Sequence, residues 1–127
     1  MPVTENISLS GSIAVNDSNT AITLGSGTLP VFATPAMILL MESTCMACVS
    51  PHLDEGQATV GTLVNISHLS ATPVGMTVKC DCSVSKVEGR KITFSCRAYD
   101  DAGLIGEGTH ERFIIDSKKF MEKANSK

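Results

Sequence analysis

The chain has 127 residues, of which 43% are hydrophobic and 18% charged, so its size and composition are those of one compact globular domain and exclude a disordered or fibrous protein. Its formal net charge of -3 argues against a general nucleic-acid binder, because such proteins present a basic surface to the phosphates. The sequence begins without a basic segment ahead of an apolar stretch, and polar residues interrupt its longest apolar segment. We therefore expect a cytoplasmic protein with no membrane span.

The first half of the sequence predicts one strand and one long helix. Residues 1–29 are polar, with short apolar segments at 7–13 and 21–24 that leave the register of the strand open. Thr34 followed by Pro35 is a helix-start signal, with Thr as the N-cap and Pro at the first helical position. The run PAMILLMESTCMACVS carries a single charged residue, so this helix is apolar nearly all round and other structure must cover it. Pro51 and the polar residues 54–57 end it.

Residues 58–115 predict four strands. In ATVGTLVNISHL, one set of residues shares a parity and is expected to face one way: Val60, Val64, Ile66 and His68. The segments MTVKCDCSV and KITFSCRAY alternate apolar and polar residues, and LIGEGTHERFII follows a further turn. The short connections favour antiparallel neighbours in chain order. Asp116 then begins a short C-terminal helix, KKFMEKA.

The order of these elements predicts the fold class. A strand, a long apolar helix and four antiparallel strands can cover the helix if one sheet curls around it. This is an α+β protein with the hotdog architecture, a curled antiparallel sheet wrapped around a long central helix. We expect a single such domain over residues 1–127.

Glu42 is the most informative candidate for chemistry. An isolated carboxylate among the apolar residues of the helix pays a desolvation penalty unless it is hydrogen-bonded or faces a cleft. A carboxylate in such a setting can serve as a general base. The alternative is structural: Glu42 reaches solvent from the edge of the helix or holds neighbouring backbone in place.

His68 and Thr34 are the next candidates. The parity of His68 directs it toward the helix, where it is either a core histidine or one member of an acid–base pair with Glu42. Thr34 is either a simple cap or part of a helix N-terminus that polarises a carbonyl. Eight residues of helix span about 12 Å. Thr34 and Glu42 of one regular helix therefore do not easily reach one atom, unless a long substrate runs between them, the first turn is irregular or two protomers contribute.

The predicted second and fifth strands carry further candidates. Gly61 lacks a side chain and so allows a ligand to approach the backbone. Arg112 is expected either to bind phosphate or orient Glu42, or to face solvent. His110 shares the parity of Arg112, and for it we favour the solvent-facing interpretation.

The five cysteines allow a different hypothesis, a thiol-based metal or redox protein. Cys45 and Cys48 have CxxC spacing, and Cys80 with Cys82 would complete a four-thiolate zinc set. However, the first two lie deep within the helix, and the others share the inward parity of their strands with Cys96. Packing as small apolar residues explains all five, so we expect no metal and no cofactor.

The motifs also resemble a known family. The segments VFATPAMILLMESTC, VGTLVNISHLSATPVGMTV, VEGRKITFSCRAYD and GTHERFII, which span about residues 29–115, are similar to the fluoroacetyl-CoA thioesterase-like branch of the hotdog superfamily. The resemblance implies an acyl-CoA thioesterase with Thr34, Glu42 and His68 as the catalytic set, and with Gly61 and Arg112 at the substrate site. It also implies a homodimer, or a higher oligomer, whose sites lie between subunits.

One departure from the family concerns the acyl group. The fluoroacetyl-specific member carries a phenylalanine-bearing lid ahead of VFAT, whereas GSGTLP here has no aromatic residue. Phe32 is the only aromatic residue nearby and is expected at the substrate site. The resemblance therefore predicts hydrolysis of a short-chain or aryl acyl-CoA, with Glu42 as base or nucleophile. A non-catalytic module that binds or senses acyl-CoA is the alternative.

Overall fold

A computed structural model describes residues 2–127. In chain order the elements are β1 (Ser8–Ala14), α1 (Ala21–Leu24), α2 (Thr34–Val49), a short 3-10 helix (Ser50–His52), β2 (Gln57–His68), β3 (Thr77–Glu88), β4 (Lys91–Asp100), β5 (Gly103–Asp116) and α3 (Ser117–Asn125). The predicted order of strand, long helix and four strands is confirmed, and α1 is an addition. Asp116 caps α3 by accepting from the Lys119 amide at 3.0 Å.

The five strands form one antiparallel sheet in the order β1-β3-β4-β5-β2, which curls around α2. The α+β hotdog prediction is therefore confirmed. The expectation that strands adjacent in sequence are also neighbours holds for β3–β4–β5 but is wrong for β2 and β3. Strand β2 pairs with β5, because the chain between β2 and β3 crosses the end of the sheet. As a result β2 is an edge strand.

A β-bulge interrupts β2 between Gly61 and Leu63. Because the bulge adds one residue, it reverses the alternation of faces. Val60 pairs with Phe113, whereas Val64 pairs with the buried His110. The prediction that Val60 and Val64 share a face is therefore wrong, although His68 does face α2.

Helix α2 buries one side against the sheet. Its buried residues recur at helical spacing and meet the inward faces of β3 and β4: Ala36, Met37, Leu40, Met41, Thr44, Cys45, Cys48 and Val49. The opposite side stays open, with Leu39 65% exposed and Met46 46% exposed. Within residues 2–127 the expected full cover of the helix is therefore missing on one side. None of the helices in this range is long and apolar enough to cross a membrane.

The start of α2 lies one residue earlier than predicted. Ala33 is the N-cap, Thr34 is the first helical residue and Pro35 the second. No side chain caps this helix end, so the hydroxyl of Thr34 is available for another partner.

Candidate active site

Two predicted residues meet at the N-terminus of α2, and we call them the N-terminal pair. Thr34 Oγ1 lies 2.7 Å from His68 Nδ1, which joins the first turn of the helix to the end of β2. Burial lowers the pKa of His68 below its ordinary value of 6.5, so the ring is neutral at pH 7. The Nε2 atom of the same ring is buried and has no hydrogen-bond partner within residues 2–127.

A shallow cavity of about 270 Å³ lies beside the N-terminal pair, and Thr34, His68 and Phe32 contribute to its wall. Phe32 is itself only 1% exposed. It therefore belongs to the core as much as to the cavity. Its backbone holds the segment before α2 in place, because the Phe32 amide donates to the Thr72 carbonyl at 2.8 Å.

Glu42 and Arg112 form a second cluster, the central pair. Arg112 Nη1 lies 3.9 Å from Glu42 Oε2, and both residues face a cavity of about 200 Å³ between α2 and β5. The Glu42 side chain is 38% exposed, so the expected burial of this carboxylate is not found in the single chain. It faces a cleft instead, with the apolar side chains of Leu39 and Met46 beside it.

Arg112 is held rigidly. Its Nε donates to Thr59 Oγ1 and its Nη2 to the Thr59 carbonyl, both at 2.9 Å. The residue is only 6% exposed. Burial lowers the pKa of its guanidinium, and the neighbouring Glu42 carboxylate opposes that shift. The prediction that Arg112 orients Glu42 is compatible with this geometry, whereas the solvent-facing alternative is wrong.

Gly61 lies where the central pair meets β2. A Cβ atom built on Gly61 would lie 2.9 Å from Glu42 Oε2 and 3.5 Å from Arg112 Nη1. The missing side chain therefore leaves room for the carboxylate and the guanidinium to approach each other. The sequence-based prediction was different: it expected the missing side chain of Gly61 to let a ligand approach the backbone.

His110 corrects the sequence-based interpretation. It was expected to face solvent, yet it is 1% exposed and packs against Phe94, with ring centroids 6.2 Å apart. Its Nε2 lies 3.2 Å from Arg112 Nη1. The available signal was parity, since His110 pairs with the inward-facing Phe94 across the β4–β5 ladder.

In one chain the N-terminal pair and the central pair are too far apart to act on the same atom. Helix α2 is regular from Thr34 onward, so the eight residues between Thr34 and Glu42 span about 12 Å along its axis. The two cavities have no lining residue in common. An irregular first turn, one of the predicted explanations for this spacing, is therefore excluded.

The thiols pack inside the sheet. All five are free and buried, and the sulfur atoms of Cys45, Cys82 and Cys96 lie within 4.8 Å of one another. Cys48 does not join that group and Cys80 bonds Thr44 Oγ1 at 3.2 Å, so the hypothetical four-thiolate zinc set is not assembled. Burial raises the pKa of Cys48, which disfavours the thiolate that a metal would need.

A curled antiparallel sheet around one central helix is the hotdog fold. The structure of a Thermus thermophilus protein described as a thioesterase superfamily member superposes with a TM-score of 0.91 at 28% identity, covering 98% of this chain and 93% of that one. This chain is accordingly a thioester hydrolase.

The chain belongs to the fluoroacetyl-CoA-specific thioesterase family, whose model matches residues 15–118. A fluoroacetyl-CoA thioesterase of Streptantibioticus cattleyicolor is 40% identical over 97 residues, which are 76% of this chain and 70% of that protein. The structure of the fluoroacetyl-CoA thioesterase FlK superposes with a TM-score of 0.94 at 32% identity, covering 100% of this chain and 98% of that one. Variants of FlK have been solved with acetyl-CoA, and with fluoroacetate and CoA.

Proposed function

We propose that this protein hydrolyses a short-chain or aryl acyl-CoA to the free acid and CoA, with Glu42 at the centre of the reaction. The observation that carries the proposal is the central pair: a carboxylate facing a cleft, beside a buried guanidinium that is fixed by other bonds. The family relationship supports the same chemistry, because the relatives are thioesterases and FlK variants bind acetyl-CoA or CoA.

The thioester carbonyl would bind near the N-terminus of α2. Thr34 lies in the first turn, which has no side-chain cap, and the positive end of the helix dipole favours an oxygen that gains negative charge. The hydroxyl of Thr34, held by His68, would donate to that oxygen or to a bound water. His68 would donate from Nδ1–H to Thr34 Oγ1, which leaves the hydroxyl hydrogen for that oxygen, and its Nε2 would pass the proton that Glu42 takes from water to the departing thiolate. Arg112 would keep the Glu42 carboxylate oriented.

Two routes are open to Glu42. As a general base it would take a proton from water, whose oxygen attacks the carbonyl carbon while the C–S bond breaks and the CoA sulfur gains the proton. As a nucleophile its carboxylate oxygen would attack the same carbon, expelling CoA and forming an anhydride that water then hydrolyses. Isotope in the Glu42 carboxylate after single turnover in ¹⁸O-labelled water would identify the nucleophilic route, because the general-base route never forms a bond between water and that residue.

We further propose a homodimer in which the N-terminal pair of one protomer works with the central pair of the other. The edge strand β2 exposes Leu63 by 47% and Val64 by 43%, and the open side of α2 adjoins it with Leu39. Pairing two such edges would cover these surfaces. It would also bring the partner's Glu42 toward the unpartnered Nε2 of His68, which removes the 12 Å spacing problem.

Mixed dimers test this composite site. A dimer of Glu42→Gln and His68→Ala subunits contains one site with both native groups if the site is shared, and none if each subunit works alone. We expect the mixed dimer to recover up to about half of the wild-type turnover, while each parent dimer stays inactive. Inactive mixed dimers would show that each subunit carries its own complete site.

The substrate class follows from the segment before α2. Residues 25–30, GSGTLP, contain no aromatic side chain, and Phe32 lies in the core, so we do not propose selection of fluoroacetate. Release of free CoA should be measured with acetyl-, butyryl-, phenylacetyl- and fluoroacetyl-CoA. We expect turnover without a marked preference for the fluorinated substrate. Binding of all four without CoA release would instead identify a non-catalytic acyl-CoA module, and the proposed hydrolysis would be wrong.

For the location of the protein we propose the cytoplasm, where acyl-CoA is made and used.

A further inference from the structure

His110 has a partner on each ring nitrogen. Its Nδ1 lies 2.8 Å from the carbonyl oxygen of Leu63, the residue that closes the β-bulge in β2. Its Nε2 lies 3.2 Å from Arg112 Nη1. Because the ring is almost completely buried, neither nitrogen can exchange its partner for bulk water.

These partners allow only one protonation state of the ring. A guanidinium donates hydrogen bonds and cannot accept them, so Nε2 must be the acceptor for Arg112. A carbonyl oxygen only accepts, so Nδ1 must carry the hydrogen and donate to Leu63. The neutral Nδ1–H form satisfies both bonds. The Nε2–H form satisfies neither, and the imidazolium would place two cations against each other.

The bond from Arg112 to His110 completes the fixing of the guanidinium. Thr59 already accepts from Nε and Nη2, so His110 is the acceptor that holds the remaining nitrogen, Nη1. That same nitrogen faces Glu42 Oε2 at 3.9 Å. With one hydrogen of Nη1 committed to His110, the planar guanidinium can direct the other toward the carboxylate.

We propose that His110 is a positioning residue for the thioesterase reaction, which acts on Glu42 through Arg112. This inference rests on the proposed function. The chain of contacts runs from the bulge carbonyl of Leu63 to the ring, then to Arg112 Nη1 and to the Glu42 carboxylate. Rigid supports of this kind hold a reacting group within the small displacements that a near-attack geometry tolerates.

Two amide variants separate the two halves of the ring. In His110→Gln the side-chain oxygen can reach the position of Nε2 and accept from Arg112, while the bond to Leu63 is lost. In His110→Asn the side-chain NH₂ can occupy the position of Nδ1 and donate to Leu63, while the acceptor for Arg112 is lost. We expect kcat to fall about tenfold or more in His110→Asn and to stay within about threefold of wild type in His110→Gln, with KM little changed in both.

A ring that only ties down the bulge predicts the reverse order, whereas a ring that only fills the core predicts a loss of thermal stability in the smaller His110→Asn with kcat of the folded protein unchanged. His110→Asn keeps the Leu63 bond and would then be at least as active as His110→Gln, and that result would overturn the proposal. Thermal unfolding of both variants reports whether a loss of kcat accompanies a loss of folded protein.

A measurement on the wild-type protein decides the question if both variants fail to fold. The ¹⁵N chemical shifts of the imidazole distinguish the two neutral tautomers, and the chain has only three histidines to assign. We expect the Nδ1–H form for His110 in the folded protein. The Nε2–H form would overturn the inference. Failure of the proposed function is distinct, since it appears as absent CoA release by the wild type, whatever the tautomer of His110.

Discussion

The N-terminal pair and the central pair each have one member on α2, but the two pairs are supported in different ways. Thr34 and His68 bond directly to each other at 2.7 Å, and Thr34 is exposed at the start of the helix. Glu42 and Arg112 are 3.9 Å apart, and Arg112 is fixed from below by Thr59 and His110. The first pair is one direct bond between α2 and the end of β2, whereas the second depends on further residues of β2 and β5.

The difference suggests a division of labour. The N-terminal pair can adapt to the substrate, because its histidine keeps a free ring nitrogen and its threonine reaches solvent. The central pair is preorganised, because its guanidinium cannot turn without breaking bonds to Thr59 or His110. Preorganised charge is most effective where the reaction develops charge, which supports our proposal of the chemical step at Glu42 and of carbonyl recognition at Thr34.

Removal of the Glu42 charge is the largest test of this comparison. We expect Glu42→Gln to lower kcat by about 10²–10⁴-fold, the range associated with a lost general acid–base group. The amide keeps the shape of the side chain, so thermal stability should hardly change. The matched control is Glu55→Gln, an exposed acid of the loop before β2, which should leave CoA release unchanged. Wild-type turnover by Glu42→Gln would remove the central pair from the mechanism.

Crowding the central pair should have the next largest effect. In Gly61→Ala the new Cβ would lie 2.9 Å from Glu42 Oε2, so the carboxylate must move. We expect kcat to fall roughly ten- to a hundredfold, because small displacements of a reacting group are costly. Thermal stability should fall modestly, because the end of the Glu42 side chain can give way but the buried ring of His110, whose Cε1 would lie 3.2 Å from the new Cβ, is held at both nitrogens. A matched change at the exposed turn residue Gly27, whose Cβ would meet only Ala21 Cβ at 3.2 Å, should retain activity.

The sequence predicts the fold that carries this site better than the strand pairing and the bulge that hold its residues in place. The hotdog class followed from one apolar helix and four alternating strands, and the inward residues of β3 and β4 alternate as expected. The neighbour of β2 could not be predicted, because pairing across a sheet depends on the path of the connection and not on local pattern. The bulge beyond Gly61 was also missed: one extra residue reverses the alternation of faces, and the isolated glycine was a local signal of it.

His110 shows where local reasoning failed within the site. Its parity matches the inward face, but the polar stretch GTHER favours the more common surface position for a single histidine. Only the sheet register, which places His110 opposite Phe94 and beside Arg112, reveals that the ring is enclosed. For Glu42 the prediction fails in the opposite direction. The apolar helix predicts burial, but the open side of α2 leaves the Glu42 side chain 38% exposed.

The contribution of the Thr59–Arg112 hydrogen bond should be measurable as a change in the free energy of unfolding. Thr59→Val is nearly isosteric but removes the Oγ1 that accepts from Arg112 Nε at 2.9 Å. A buried charged donor without its acceptor costs about 1–3 kcal/mol, so we expect urea denaturation to report a loss of that size in the free energy of unfolding. Thr62→Val on the same strand is the control, because that residue is exposed and should change stability by less than about 0.5 kcal/mol. Equal losses in both variants would show that Arg112 gains nothing from Thr59.

The smallest expected effect concerns pH and the N-terminal pair. Burial holds the pKa of His68 below 6.5, so the folded protein binds this proton only at lower pH than the unfolded chain does. The unfolding free energy should therefore decrease as pH falls through about 6.5, because there the unfolded state binds more protons. CoA release should weaken over the same range, because a ring already protonated at Nε2 cannot take up the proton that Glu42 removes from water. NMR titration of the ring gives its midpoint directly. A midpoint above 6.5 would mean that His68 is held as a cation, and its proposed part in the proton transfer would then be wrong.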